Sequence, residues 1–158
     1  MRCFTTSTVL GTVLAAATAV PARAQAPSQS PTFIQWSVTG TATASGRDEA
    51  ILCSPTSEGG LEIHSMGEWV FDLEAPSAAP GNHDAPIRIA APQSVSALHD
   101  TDLRTDDHLA GTAKLVIASA GRGMGNIPLL RIQFMADSLA SEIGARGRAT
   151  GTIVCAVM

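Results

Sequence analysis

From Phe33 onward the chain alternates. Ile34, Trp36, Val38, Gly40, Ala42 and Ala44 share one parity, and Gln35, Ser37, Thr39, Thr41 and Thr43 the other. A period of two buries one face of an extended strand and leaves the other in water. The β-branched and aromatic residues in this run suit a pleated, half-buried surface. The pattern predicts a long first strand over 33–44 with a bulge at Gly40, a turn at 46–48, and a return strand over 49–53 that turns Ile51 and Cys53 inward.

The same reading continues downstream. Leu61 and Ile63 face inward from a short strand, and Trp69, Phe71 and Leu73 from the next. Residues 74–86 carry three prolines and predict a long loop, with a brief edge strand over 87–89. Residues 93–110 read as loop, with one helical turn around Val95 and Leu98. Residues 112–119 are apolar on both faces and predict a central strand. A Gly-rich turn at 121–126 leads to a strand over 127–136. Residues 137–144 predict a loop or a single helical turn, and 146–157 the last strand. Seven or eight strands without a firm helix predict an all-β domain, either a small antiparallel β-sandwich or a closed barrel. An outer-membrane barrel would want aromatic girdles and uniformly long strands; tyrosine is absent and several strands are short.

The first 24 residues do not belong to this pattern. Arg2 precedes an uncharged stretch rich in Val, Leu and Ala, which ends at Pro21-Ala22-Arg23-Ala24. That is the layout of a cleavable export signal, with small residues at −3 and −1 and the cut before Gln25. The apolar run is too short for a membrane span, which needs about 20 residues. Residues 25–32 are a flexible Pro/Ser/Gln-rich lead-in, and 33–158 form a single β domain. The expected location is the periplasm or the cell exterior. Losing Arg2 and Arg23 takes the formal charge from −4 to −6, which disfavours nucleic acid and anionic lipid as partners. No stable membrane insertion is expected after cleavage.

Of the three cysteines, Cys3 leaves with the signal, so Cys53 and Cys155 remain. An even count in an exported chain predicts a disulfide. The pair lies on apolar strand faces, and its spacing is nothing like the Cys-x-x-Cys of a redox catalyst.

The densest polar cluster holds His99, Asp100, Asp102, Asp106, Asp107 and His108. Carboxylates suit Ca²⁺, and His with Asp suits Zn²⁺. The alternating Asp/Asn, central Gly and distal Glu of a calcium loop are missing, however, and a solvated acidic loop is the simpler reading. His64 and Met66 share a strand face and could hold copper, with Met124 and Met135 as further thioethers; an exposed His beside a packed Met is the plain alternative. Arg146 and Arg148 project from one face of the last strand and could clamp a carboxylate or phosphate, with Arg131 or Arg122 nearby. Surface arginines more often make weak salt bridges. The segment GRGMGN lacks both the Gly-Lys-Ser/Thr ending and the following helix of a phosphate-binding loop, so it reads as a hairpin connection. No nucleophile–base motif is present, so no enzyme and no cofactor are expected.

The closing GRATGTIVCAVM resembles the last strand of small exported β-proteins with one disulfide, such as mycobacterial lipoprotein antigens. It covers a dozen residues and carries over no functional one. Together these features predict a non-catalytic binding or structural module facing another periplasmic or extracellular protein. The alternative is a periplasmic metal-binding protein using the 99–108 loop or His64 with Met66.

Overall fold

The computed structural model describes residues 31–95 and 108–157. They form nine strands: β1 (Phe33–Gly40), β2 (Ala44–Asp48), β3 (Ile51–Pro55), β4 (Leu61–Ser65), β5 (Val70–Ala75), β6 (Gly81–Ala90), β7 (His108–Arg122), β8 (Pro128–Ala140) and β9 (Arg146–Ala156). All pair antiparallel in one sheet of order β2-β1-β9-β8-β7-β6-β5-β4-β3. β3 to β9 form a meander, and β1 returns to lie against β9.

The ends of this sheet meet because β2 and β3 are two halves of one bent strand, separated only by Glu49 and Ala50. The first half pairs with β1, from Ile34↔Asp48 to Val38↔Ala44, and the second with β4, from Ile51↔Ser65 to Pro55↔Leu61. The Met66 N–H donates to the Ala50 carbonyl at 2.9 Å across the bend. The result is a nearly closed barrel, so of the two predicted architectures the barrel is the one realised. Its seam carries an isolated parallel bridge, Cys53↔Val157, and the Cys53–Cys155 disulfide, whose Cα atoms are 6.1 Å apart.

Inward parity fills the interior. Phe71, fully buried, has ring neighbours on two sides, Trp36 at 5.3 Å and Phe134 at 5.9 Å between centroids, and Trp36 continues to Trp69 at 5.4 Å. Tilted rings at such distances add about 0.5–1.5 kcal/mol per pair beyond area burial. Gly151 lies in register between Trp36 and Phe134. A Cβ there would stand 2.5 Å from the Gln35 carbonyl oxygen and press on the Phe134 ring, so only glycine fits. Interior polar groups are paired. The Trp36 indole donates to Asp48 Oδ2 at 3.0 Å. Ser65, fully buried, accepts from the Phe71 N–H at 2.8 Å and donates to the Trp69 carbonyl at 3.3 Å. Outside, Glu62, Asp72, Glu74, Arg88, Lys114, Arg131 and Arg148 are exposed. A charged exterior around an apolar interior reverses the layout of an outer-membrane barrel. Among the described residues no helix is long and apolar enough to cross a membrane.

Several expected boundaries move. The first strand ends at Gly40, whose φ of 126° and 2.8 Å Cβ clearance to the Gly147 Cα belong to glycine alone. The turn therefore falls at 41–43, and the expected turn at 46–48 is part of β2. The expected loop over 74–86 yields to a long β6 that begins at Gly81 and pairs with β7 along its whole length. Pro86 sits just beyond the last β5–β6 pair, Leu73↔Ile87, an edge position where a missing N–H is tolerated. β8 also runs on to Ala140, through a bulge, where a loop was expected. Val95 does close a turn, its N–H donating to the Pro92 carbonyl at 2.9 Å; Leu98 lies outside the described residues.

Candidate functional site

Of the acidic and histidine cluster, His99, Asp100, Asp102, Asp106 and Asp107 lie outside the described residues. His108 opens β7 opposite Ala90, and Arg88 Nη2 lies 3.0 Å from its Nε2, a guanidinium N–H donating to an imidazole nitrogen. Among the described residues no group of three His, Cys, Asp or Glu could hold a metal ion.

His64 has a different partner from the one its sequence neighbourhood suggests. Its Nδ1 hydrogen-bonds Asp72 Oδ1, directly opposite on β5. Met66 is exposed, while Met135 lies on β8 and Met124 in the β7–β8 turn. β8 is four positions from β4 in the sheet, so neither thioether joins His64. Asp72 is in turn opposite Arg88, which reaches His108. His64, Asp72, Arg88 and His108 thus form a band of complementary polar groups across four strands of the outer surface. Each occupies an outward parity position, but only the strand register reveals them as neighbours.

The other described histidine, His83, is opposite Leu115 near the start of β6, and its Nε2–H donates to the Ala79 carbonyl at 3.0 Å. Seven residues of β6 separate it from the His108 end, about 23 Å at roughly 3.3 Å per residue. His83 thus lies apart from the band that holds His64 and His108.

Arg146 and Arg148 are exposed together on the outer face of β9. Arg131 is opposite Val154, six residues from Arg148 along β9 or about 20 Å. Arg122 lies at the far end of β7, where it donates to the Asn126 carbonyl at 2.9 Å. Neither joins the pair. What joins it instead is Asp137. A groove of about 330 Å³ is lined by Thr39, Gly40, Asp137, Ser138, Arg146 and Arg148, among others. Sequence reasoning passed over Asp137 because it fell in an expected loop.

GRGMGN is a hairpin connection, as expected. The Gly123 N–H donates to the Ile127 carbonyl at 2.8 Å and the Asn126 N–H to the Gly123 carbonyl at 3.2 Å, around a single 3-10 turn at Met124–Asn126. A second groove, of about 530 Å³, crosses the outer face of β6, β7 and β8. Asn82, Asp84, Lys114 and Gln133 surround two exposed apolar side chains in it, Val116 and Met135. Both grooves are open to the exterior, and neither enters the barrel. No family model, no curated protein and no solved structure matches the chain.

Proposed function

We propose that the mature chain is an exported, non-catalytic binding module that makes its contacts through the outside of the barrel. The observation that carries this reading is the filled interior. Trp36, Phe71 and Phe134 occupy the space in which a small barrel would otherwise hold a ligand, which leaves outer grooves such as those over β6–β8 and over β1, β8 and β9. The disulfide suits an oxidising compartment, in keeping with the signal-like N-terminus. Among the described residues the His–carboxylate contact, His64 with Asp72, lies on the exposed outer face.

The test uses the full chain expressed in a bacterium with a periplasm. Fractionation and intact mass should find it outside the cytoplasm, beginning at Gln25 and with Cys53 and Cys155 oxidised. A photoreactive side chain at Val116 or Met135 should give a discrete adduct there, and one at the buried Ala113 none. An uncleaved cytoplasmic chain, or no adduct from either outer position, refutes the reading. Melting the protein with Ca²⁺, Zn²⁺ or Cu(I) separates it from a metal-binding protein, for which saturation at 100 times Kd would add about 2.7 kcal/mol of stability.

A further inference from the structure

Near the end of β8 the in–out alternation breaks. Ala136 and Leu139 are buried, yet both residues between them are exposed. The register explains this: Ala136 is opposite Ala149 and Leu139 opposite Gly147, so Asp137 and Ser138 together face the single residue Arg148. This is a β-bulge, a device that re-aims side chains and is common beside functional sites. Here it turns a carboxylate and a hydroxyl toward the outer face of β9, where Arg148 and Arg146 already project.

On its other side Arg148 is opposite Thr39 of β1, and the adjacent pair along the two strands is Gly40 with Gly147. The frame is fixed from the β1 side. The Thr41 N–H donates to the Arg146 carbonyl at 2.8 Å, and the Arg146 N–H donates to Thr41 Oγ1 at 2.9 Å. The three charged side chains are not spent on one another. Among the described residues, the side chains of Asp137, Arg146 and Arg148 make no hydrogen bond or ion pair, whereas Arg47 lies over the Phe33 ring and Arg88 and Arg122 have hydrogen-bond partners.

Charge decides the kind of ligand. A simple anion would meet two guanidinium groups but also the Asp137 carboxylate, and a cation would meet Asp137 but also two arginines. A ligand with both charges meets both. Neighbouring strands are about 4.8 Å apart, so Asp137 and the arginine pair are separated on the scale of one amino acid or a short peptide.

We propose that the groove between β1, β8 and β9 binds a small zwitterion, an amino acid or a short peptide with free ends. Arg146 and Arg148 hold its carboxylate, and Asp137 holds its ammonium group. Thr39 and Ser138 supply hydroxyls for what lies between. The site is built by the bulge, since an unbulged β8 would turn Ser138 inward. The proposal rests on the reading of the outer surface as the binding surface and names one ligand class for it.

The test is an NMR titration of the mature protein, from Gln25 to the C-terminus, with four probes: alanine, alanylalanine, N-acetyl-alanylalanine and alanylalanine amide. Inorganic phosphate serves as a fifth. One of the first two should give saturable amide shifts confined to residues 39–41, 137–140 and 146–148, and which of them does so sets the ligand's length. Blocking either end should weaken binding about tenfold, the loss of one charge-assisted contact. Arg146→Gln with Arg148→Gln should abolish the shifts while leaving the spectrum folded. Asp137→Asn should weaken the unblocked probe and strengthen phosphate, a reversal that a loss of folding cannot produce. No saturable shift at tens of millimolar, or phosphate binding as tightly as the unblocked probes, overturns the proposal. Either result leaves the photo-crosslinking at Val116 and Met135 to judge the wider reading separately.

Discussion

Breaking the Cys53–Cys155 bond tests how the barrel is closed. The bond joins residues 102 apart in sequence and lies where β3 meets the end of β9, a junction that otherwise has one isolated bridge. In the chain-entropy treatment a loop of about 100 residues constrains the unfolded chain by about 4.7 kcal/mol. A domain of this kind has about 5–15 kcal/mol in total, so the bond supplies a third of its stability or more. At about 1.5 kcal/mol per molar urea, the midpoint should fall by about 3 M when the bond is absent. The assay is urea unfolding followed by tryptophan fluorescence, since Trp36 and Trp69 are both buried. It compares the oxidised protein, the protein reduced and held with reductant, and the double variant Cys53→Ala, Cys155→Ala. The reduced protein keeps both sulfurs, so it separates the cross-link from lost packing. The variant should be lower still, because both side chains are buried and their removal leaves space unfilled. A midpoint shift under about 1 M for the reduced protein would refute the reasoning: the seam would then be held by something other than the bond.

Ser65→Ala should cost about 1–3 kcal/mol, because it strips a partner from the buried Phe71 N–H; urea unfolding measures it, and a neutral result would mean that N–H finds another acceptor. Gly151→Ala should cost about 1–3 kcal/mol by overpacking against Phe134. Combining it with Phe134→Leu in a double-mutant cycle should return at least about 0.5 kcal/mol of coupling, and strict additivity would refute the contact.

The parity of apolar residues exposed the class of fold and most of its interior. Ile34, Trp36 and Val38 face inward, as do Trp69, Phe71 and Leu73, and β4 spans the predicted residues. Both cysteines fall on inward faces, so their pairing was legible too. The errors have a common origin in glycine and proline, which sequence reading treats as breaks. Pro76, Pro80 and Pro86 hid β6, although Pro86 costs little beyond the end of the β5–β6 ladder. Gly46 suggested a turn, but a Cβ there would come within 2.7 Å of the Trp36 ring, so it is a place where a strand passes close over an indole. The candidate grooves were less legible. Arg146 and Arg148 stand out because they are two apart on one strand. Asp137 lies past the predicted end of its strand and meets them only through the β8–β9 register, and His64, Asp72 and Arg88 likewise become neighbours only through register, which no local pattern encodes.

The position of β9 has a consequence for synthesis. It lies between β1 and β8, so the first strand has no neighbour on that side until β9 has been made. A chain cut short before Arg146 leaves two long rows of backbone donors and acceptors open, on β1 and on β8, and lacks the sulfur that Cys53 needs. Such fragments present the kind of edge that invites aggregation. Only a chain that includes β9 can join β1 to β8, so the barrel closes late in synthesis.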